Sequence, residues 1–279
     1  MSRTMPEVCG DVRRCVVSIL TDFGLSDPYV GVMKGVILGI NPLAVPVDLS
    51  HEVPPQSIRI GAFMLEASWR YFPEGTVHLA VVDPGVGTDR APIVVSAGNH
   101  LFVGPDNGLF TPVFETFPDA RAWRLEASVY RLPRPSMTFH GRDVFAPAAA
   151  WLSRGVPPGQ FGPVWPSPLR LEALQPVVQE GRIDGEVSHV DRFGNLVTNI
   201  PGELVRGARW EVQVSGERVS VHRTYGDVLE GAPLGLIGSF DRVEVSVRGG
   251  SAAERFQVGV GARVSLVRLD DLEKVREAH

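Results

Sequence analysis

The chain has 279 residues, 44% hydrophobic and 21% charged, with a formal net charge of −5 spread over interspersed acids and bases. That charge leaves no basic field for nucleic acid or an anionic membrane surface, and no apolar run is long enough to span a bilayer. The length suits one large domain or two smaller ones, each able to bury its own core. Residues 1–15 carry no apolar signal core and read as a flexible tail, so the expected location is the cytoplasm. Cys9 and Cys15, the only cysteines, lie close to that tail and outside any CxxC pattern. This argues against a disulfide framework or a zinc site and fits a reducing compartment.

In chain order, a short apolar strand over 16–20 runs into T-D-F-G at 21–24, which places Asp22 at a strand end. Asp27 then reads as a helix N-cap and Pro28 as the first helical residue. Tyr29, Val32, Met33, Val36, Ile37 and Ile40 fall on one helical face, and Asn41-Pro42 ends it. A second strand is expected over 44–48, with His51 in the loop after it, and a second helix over 57–71. The apolar run 77–82 stops on Asp83, turns through Pro84-Gly85, and Arg90 follows seven residues after the acid. A carboxylate at such a strand end is where α/β proteins place ligand chemistry, yet an Asp before Pro-Gly is equally an ordinary turn former. Runs 93–96 and 101–104 around Gly98-Asn99 predict a β-hairpin, with a short helix over 109–117. After T-F-H-G-R-D at 138–143, Val144, Phe145, Ala148, Ala149 and Leu152 share one face of another helix.

Composition then shifts. Prolines at 157, 158, 163, 166, 168 and 176 break any periodicity, so 155–176 reads as a linker or a wrapping arm. Beyond it only short apolar strands recur, near 185–190, 196–200, 210–214, 219–221, 234–237, 243–247 and 258–267. The expected organisation is an α/β domain over 16–180 followed by a small all-β, barrel-like domain over 181–279.

There is no GxxxxGK[ST] loop and no GxGxxG after the first strand, so the common nucleotide loops are absent. Asp22, Asp48, His51, Asp83 and His140 have the donor chemistry for a metal, but none forms an HxH or HExxH pair and no metal is expected. His78 and His100 alternate with core residues and read as structural. In V-D-R-F-G-N-L-V-T-N at 190–199, Asp191 and Asn195 by themselves suit an Asx-turn, and Ser239 in I-G-S-F a simple chain reversal.

Six blocks occur in a fixed order: T-D-F-G-L-S-D-P-Y-V-G-V-M-K-G (21–35), V-V-D-P-G-V-G-T (81–88), G-P-D-N-G-L (104–109), T-F-H-G-R-D-V-F-A-P (138–147), V-D-R-F-G-N-L-V-T-N (190–199) and I-G-S-F (237–240). Together they resemble the S-adenosyl-L-methionine hydroxide adenosyltransferase family, relatives of the fluorinating and chlorinating enzymes that use the same substrate. The resemblance implies hydrolysis of S-adenosyl-L-methionine to adenosine and L-methionine, with no added cofactor. It also implies a homotrimer in which each site lies between the N-terminal domain of one subunit and the C-terminal barrel of the next. By the same matching, Asp83, Arg90 and His140 handle the water; the halogenating branch has Tyr where Asp83 and His140 stand. Asp22 would hold the ribose hydroxyls, Asn195 the adenine edge, Asp191 the methionine ammonium and Ser239 its carboxylate, with Tyr225 stacking on the adenine. One departure stands out: relatives usually carry Gly where this chain has Asp241. The alternatives are a halogenase of the same fold, a non-catalytic protein that holds S-adenosylmethionine or adenosine, and a metal-dependent hydrolase built on the Asp/His cluster.

Overall fold

Residues 15–172 and 175–269 are described by the computed structural model. The chain divides into two units, one up to Leu171 and one from Glu172 onward; most of the expected tail lies outside the described residues.

The first unit runs β1 (Val16–Thr21), α1 (Tyr29–Ile40), β2 (Val45–Ser50), α2 (Ile58–Ser68), β3 (Val77–Val81), β4 (Pro92–Ala97), β5 (His100–Pro105), α3 (Thr111–Thr116), β6 (Arg121–Arg124) and α4 (Ala146–Ser153). Its sheet has the order β2-β1-β3-β5-β4-β6. The pairs β1–β2, β1–β3 and β3–β5 are parallel, while β4 pairs antiparallel with both β5 and β6. Every residue of β3 is buried because helices cover both faces. Leu79 and Val81 pack with α1 and α4, and Ala80 and Val82 with α2 and α3. A fully buried branched side chain of this kind contributes about 1.5–3 kcal/mol.

The chain leaves β1 to one side for β2 and returns to its other side for β3, so a topological switch point lies between β1 and β3. Thr21 is in register with Val81. Asp22 and Asp83 therefore leave the sheet at the same carboxyl edge, beside the switch point, where open α/β sheets bind ligands.

Several local expectations are corrected. Helix α1 starts at Tyr29 with Pro28 in the cap position and no side-chain cap, so Asp27 is not the N-cap. The Pro28 carbonyl accepts the first helical bond, from Val32 N at 2.9 Å. The buried stripe is Val30, Met33 and Ile37, whereas Tyr29 and Val32 are 45% and 38% exposed. The apolar positions of α1 offered two overlapping stripes, and the sheet takes the one centred on Met33 and Ile37. Helix α4 is buried all round, since its alanines let neighbouring elements approach from every side. The four-residue β6, with only Ala122 buried, has too little apolar pattern to stand out from a loop. The proline-rich stretch wraps this unit: Trp165 Nε1 and Leu169 N donate to Asp106 at 2.7 and 2.8 Å, and Leu171 N to Thr111 Oγ1 at 2.8 Å.

The second unit contains β7 (Val177–Gln179), β8 (Arg182–Val190), β9 (Leu196–Pro201), β10 (Trp210–Val214), β11 (Glu217–Ser220), β12 (Pro233–Ile237), β13 (Arg242–Val247), α5 (Ala252–Phe256) and β14 (Arg263–Arg268). The order is β11-β10-β14-β8-β9-β13-β12, with β7 beside β8 and every pair antiparallel. A bridge from Val221 to Gly235 brings the two outer strands together, giving a nearly closed barrel. Inward positions such as Trp210, Val212 and Val214 alternate with outward polar ones to fill its core. The strand expected over 258–267 begins only at Arg263, because α5, capped by the Ser251 side chain, takes the chain first.

Candidate active site

Past β3, the turn Asp83–Gly87 folds Arg90 back over the strand end. It needs Gly87, whose φ is +79° and where a Cβ would sit 2.8 Å from the Met137 carbonyl. Arg90 Nε donates to Asp83 Oδ1 at 2.8 Å and Nη2 donates to Oδ2, a bidentate pair. Both side chains are buried, with 5% of Asp83 and 8% of Arg90 exposed. Nη2 also lies 2.8 Å from His140 Nδ1. A guanidinium only donates, so Nδ1 accepts and the imidazole proton sits on Nε2. Burial first, and the Arg90 charge second, hold the His140 pKa below its usual value despite the opposing pull of Asp83. His140 is therefore a neutral imidazole at neutral pH.

His140 precedes a π-helical turn, Gly141–Phe145, that leads into α4. Single wide turns of this type often occur at functional sites. Asp143, within it, accepts from Ser136 N at 2.7 Å and ties down the loop that carries Thr138 and Phe139. The resulting cavity, about 380 Å³, is lined by Asp83 and His140 on its polar side and by Phe23, Tyr29 and Phe139 on its apolar side. The three rings pack at centroid distances of 5.9, 5.9 and 5.1 Å. Sequence reasoning did not single out this aromatic wall, although Phe23 and Phe139 lie inside the motifs it quoted. Asp22, next to Phe23, accepts from Gln56 N at 2.8 Å through Oδ2.

In the second unit a more open concavity of about 840 Å³ is lined by Asp191, Phe193, Asn195, Tyr225, Ser251 and Glu254, among others. Asp191 Oδ1 accepts from Phe193 N and Asn195 N, both at 2.9 Å, and Oδ2 from Asn195 Nδ2 at 2.9 Å. The Asx-turn is thus real, and it also presents the Asn195 amide to the concavity. Tyr225 donates to Glu244 Oε1 at 2.5 Å, which also accepts from Ser246 Oγ at 2.8 Å. Burial and Glu244 push the Tyr225 phenol up to about 12. The Tyr225–Glu244–Ser246 cluster had no signal in the sequence, because its members come from three separate stretches. Ser239 is exposed in the turn after β12 and does not line this concavity. Asp241, in the same turn, has φ +55°, a left-handed conformation that Asp tolerates better than most side chains, and it pairs with Arg206. Asp is accommodated there.

His78 and His100 form a core network: Ser18 Oγ lies 2.7 Å from His78 Nδ1, and His78 Nε2 lies 3.2 Å from His100 Nδ1. Burial, with the neighbouring His100 charge second, takes the His78 pKa down to about 3, so it stays neutral. Among the described residues no three His, Cys, Asp or Glu side chains stand where they could hold a metal ion.

A switch-point crevice bearing a buried Asp–Arg pair in contact with a half-buried His, in one chain with a nearly closed antiparallel barrel, defines an α/β ligand-binding protein with an appended barrel. The chain belongs to the SAM hydroxide adenosyltransferase family: the model of its N-terminal domain matches residues 17–162 and that of its C-terminal domain residues 185–265. An (R)-S-adenosyl-L-methionine hydrolase of Thermus thermophilus is 45% identical, with 90% of this chain and 99% of that protein covered. A fluorinase of an Actinoplanes species is 26% identical over 66% of this chain and 71% of its own length. A crystal structure of an uncharacterized protein from Thermotoga maritima superposes with a TM-score of 0.86 at 38% identity, covering 90% of this chain and all of that one.

Proposed function

We propose that this protein hydrolyses S-adenosyl-L-methionine, with water attacking the ribose 5′ carbon to give adenosine and L-methionine. The observation that carries the reading is the contact chain Asp83–Arg90–His140 at the wall of an apolar cavity. The sulfonium is already a good leaving group, so no acid is required to protonate it. The difficulty lies in a weak nucleophile that must approach in line with the departing sulfur. Fixing that geometry lowers the barrier by up to about 7–11 kcal/mol in ideal cases.

Asp83 is the group suited to take the water's proton. Its oxygens retain acceptor capacity beyond the two Arg90 bonds, and Arg90 both orients the carboxylate and compensates its buried charge. His140, with Nδ1 occupied by Arg90, offers Nε2–H as a donor that orients the water oxygen. The aromatic wall of Phe23, Tyr29 and Phe139 gives the cavity an apolar side against which a bound substrate can displace water.

The remaining assignments follow from hydrogen-bonding capacity. Asp22 keeps Oδ1 for a ribose hydroxyl while Oδ2 is held by Gln56 N. Asn195 keeps Oδ1 and one Nδ2 proton for the adenine edge, and Asp191 Oδ2 keeps a lone pair for the methionine ammonium. Ser239 would meet the methionine carboxylate and Tyr225 would stack on the adenine. Water-handling groups line a concavity of the first unit and adenine-gripping groups one of the second; in the proposed assembly, a homotrimer, each site joins the first unit of one subunit to the barrel of the next. The enzyme would work in the cytoplasm, with no cofactor and no metal.

The test is a single-turnover reaction in ¹⁸O water read by mass spectrometry. Labelled adenosine plus methionine is expected. A 5′-halogenated nucleoside in the presence of chloride or fluoride would instead establish a halogenase. Tight binding without turnover would establish a binding protein, and loss of turnover on chelation a metal hydrolase.

A further inference from the structure

Behind the loop that carries Asp22, four polar side chains from three elements form a continuous chain. Lys34 of α1 lies 2.6 Å from Asp48 Oδ2 of β2, Asp48 Oδ1 lies 3.0 Å from His51 Nε2, and His51 Nδ1 lies 2.8 Å from Thr21 Oγ1 at the end of β1. Thr21 Oγ1 in turn accepts from Phe23 N at 3.3 Å. A hydroxyl oxygen can accept twice and donate once, so Thr21 Oγ1 bridges the Phe23 N–H and His51 Nδ1, while His51 Nε2 stands at ion-pair distance from Asp48 without an aligned hydrogen bond. Thr21 has no exposed surface and only 3% of His51 is exposed, so neither can meet a substrate.

The inner two members, Thr21 and His51, reach the backbone around Asp22. Thr21 precedes it, Phe23 follows it, and the His51 carbonyl accepts from Gly24 N at 2.8 Å. The loop beyond His51 returns to offer Gln56 N to Asp22 Oδ2 at 2.8 Å. Gln56 has φ +66°, a left-handed conformation held by a non-glycine residue next to the carboxylate it orients. A carboxylate that must engage two hydroxyls at once needs this kind of fixed orientation.

We infer that Thr21, His51, Asp48 and Lys34 are positioning residues that set the Asp22 carboxylate for a ribose diol. The inference rests on the reading of Asp22 as the ribose-binding group. It is tested by calorimetric binding of adenosine and of 2′,3′-dideoxyadenosine to the full-length wild type and to T21V, T21S, H51N and K34M, with melting temperatures recorded to confirm folding. Wild type is expected to favour adenosine by at least about tenfold, the scale of hydrogen bonds to a charged group. In T21V and K34M that preference should collapse while dideoxyadenosine binds as in wild type; T21S and H51N, which keep a polar partner, should retain most of it. Folded T21V and K34M that keep the wild-type preference would overturn the inference and leave the Asp22 reading intact. Should T21V not fold, K34M, 31% exposed at the far end of the chain, decides by the same criterion. A wild type that binds both nucleosides alike would remove the Asp22 reading and the inference with it.

Discussion

Arg90 grips Asp83 through two nitrogens, Nε on Oδ1 at 2.8 Å and Nη2 on Oδ2, and the same Nη2 reaches His140 Nδ1 at 2.8 Å. One guanidinium therefore fixes both the direction of the acid and the tautomer of the imidazole. Neither side chain could be placed as firmly by a lysine, which is a point charge on a flexible stem.

Replacing Asp83 by Asn removes the proton acceptor and leaves the buried Arg90 charge uncompensated. Turnover should fall by ~10²–10⁴-fold, the usual scale for a general base, with adenosine affinity changing far less. Stability should fall by about 3–5 kcal/mol, as when one partner of a buried ion pair is removed. Single-turnover kinetics, calorimetry and urea denaturation read the three quantities separately. Unchanged turnover would rule out Asp83 as the base.

The pH dependence of His140 has a definite sign. Its folded pKa lies below the ordinary imidazole value of about 6.5, so near that pH the unfolded chain binds the extra proton. The neutral side chain contributes stability that is complete above the unfolded value and is lost as pH falls through the folded one. Isotope-edited NMR should find His140 still neutral at about pH 6.5, with any acid limb of turnover that follows its titration lying lower. Half-protonation at or above that pH would contradict the environment described.

Tyr225→Phe takes one of two donors from Glu244, which is 5% exposed. A loss of about 1–3 kcal/mol is expected, the cost of an under-satisfied buried acceptor. Because the folded phenol titrates at about 12, above its usual 10, its contribution is complete below the unfolded value and is lost only as pH rises through the folded one. Ultraviolet titration of wild type minus Y225F should thus show no phenolate at about pH 10.5. Phenolate at that pH would mean that the bond to Glu244 is not held in solution.

Much of this architecture could be read in the chain itself, for reasons that are local. Strand β3 announced itself by an apolar run interrupted only by His78 and by a Pro-Gly stop; the hairpin of β4 and β5 by Gly98-Asn99; the barrel by short alternating strands such as β10. The start of α1 and the depth of α4 were misjudged because both depend on what packs against the helix, which periodicity alone does not contain. The sequence alone also carried the six ordered motifs, and with them the family.

Only the tertiary structure decided which of those residues touch. Asp83, Arg90 and His140 are spread over 58 positions of the chain, and their contact exists because the β3 turn and the π-helical turn before α4 meet at one sheet edge. The same holds for Thr21, His51 and Asp48, which parallel strands bring together. Residue types and local turns are properties of short segments, whereas hydrogen-bond partners and depressed or raised pKa values come from distant segments excluding water between them.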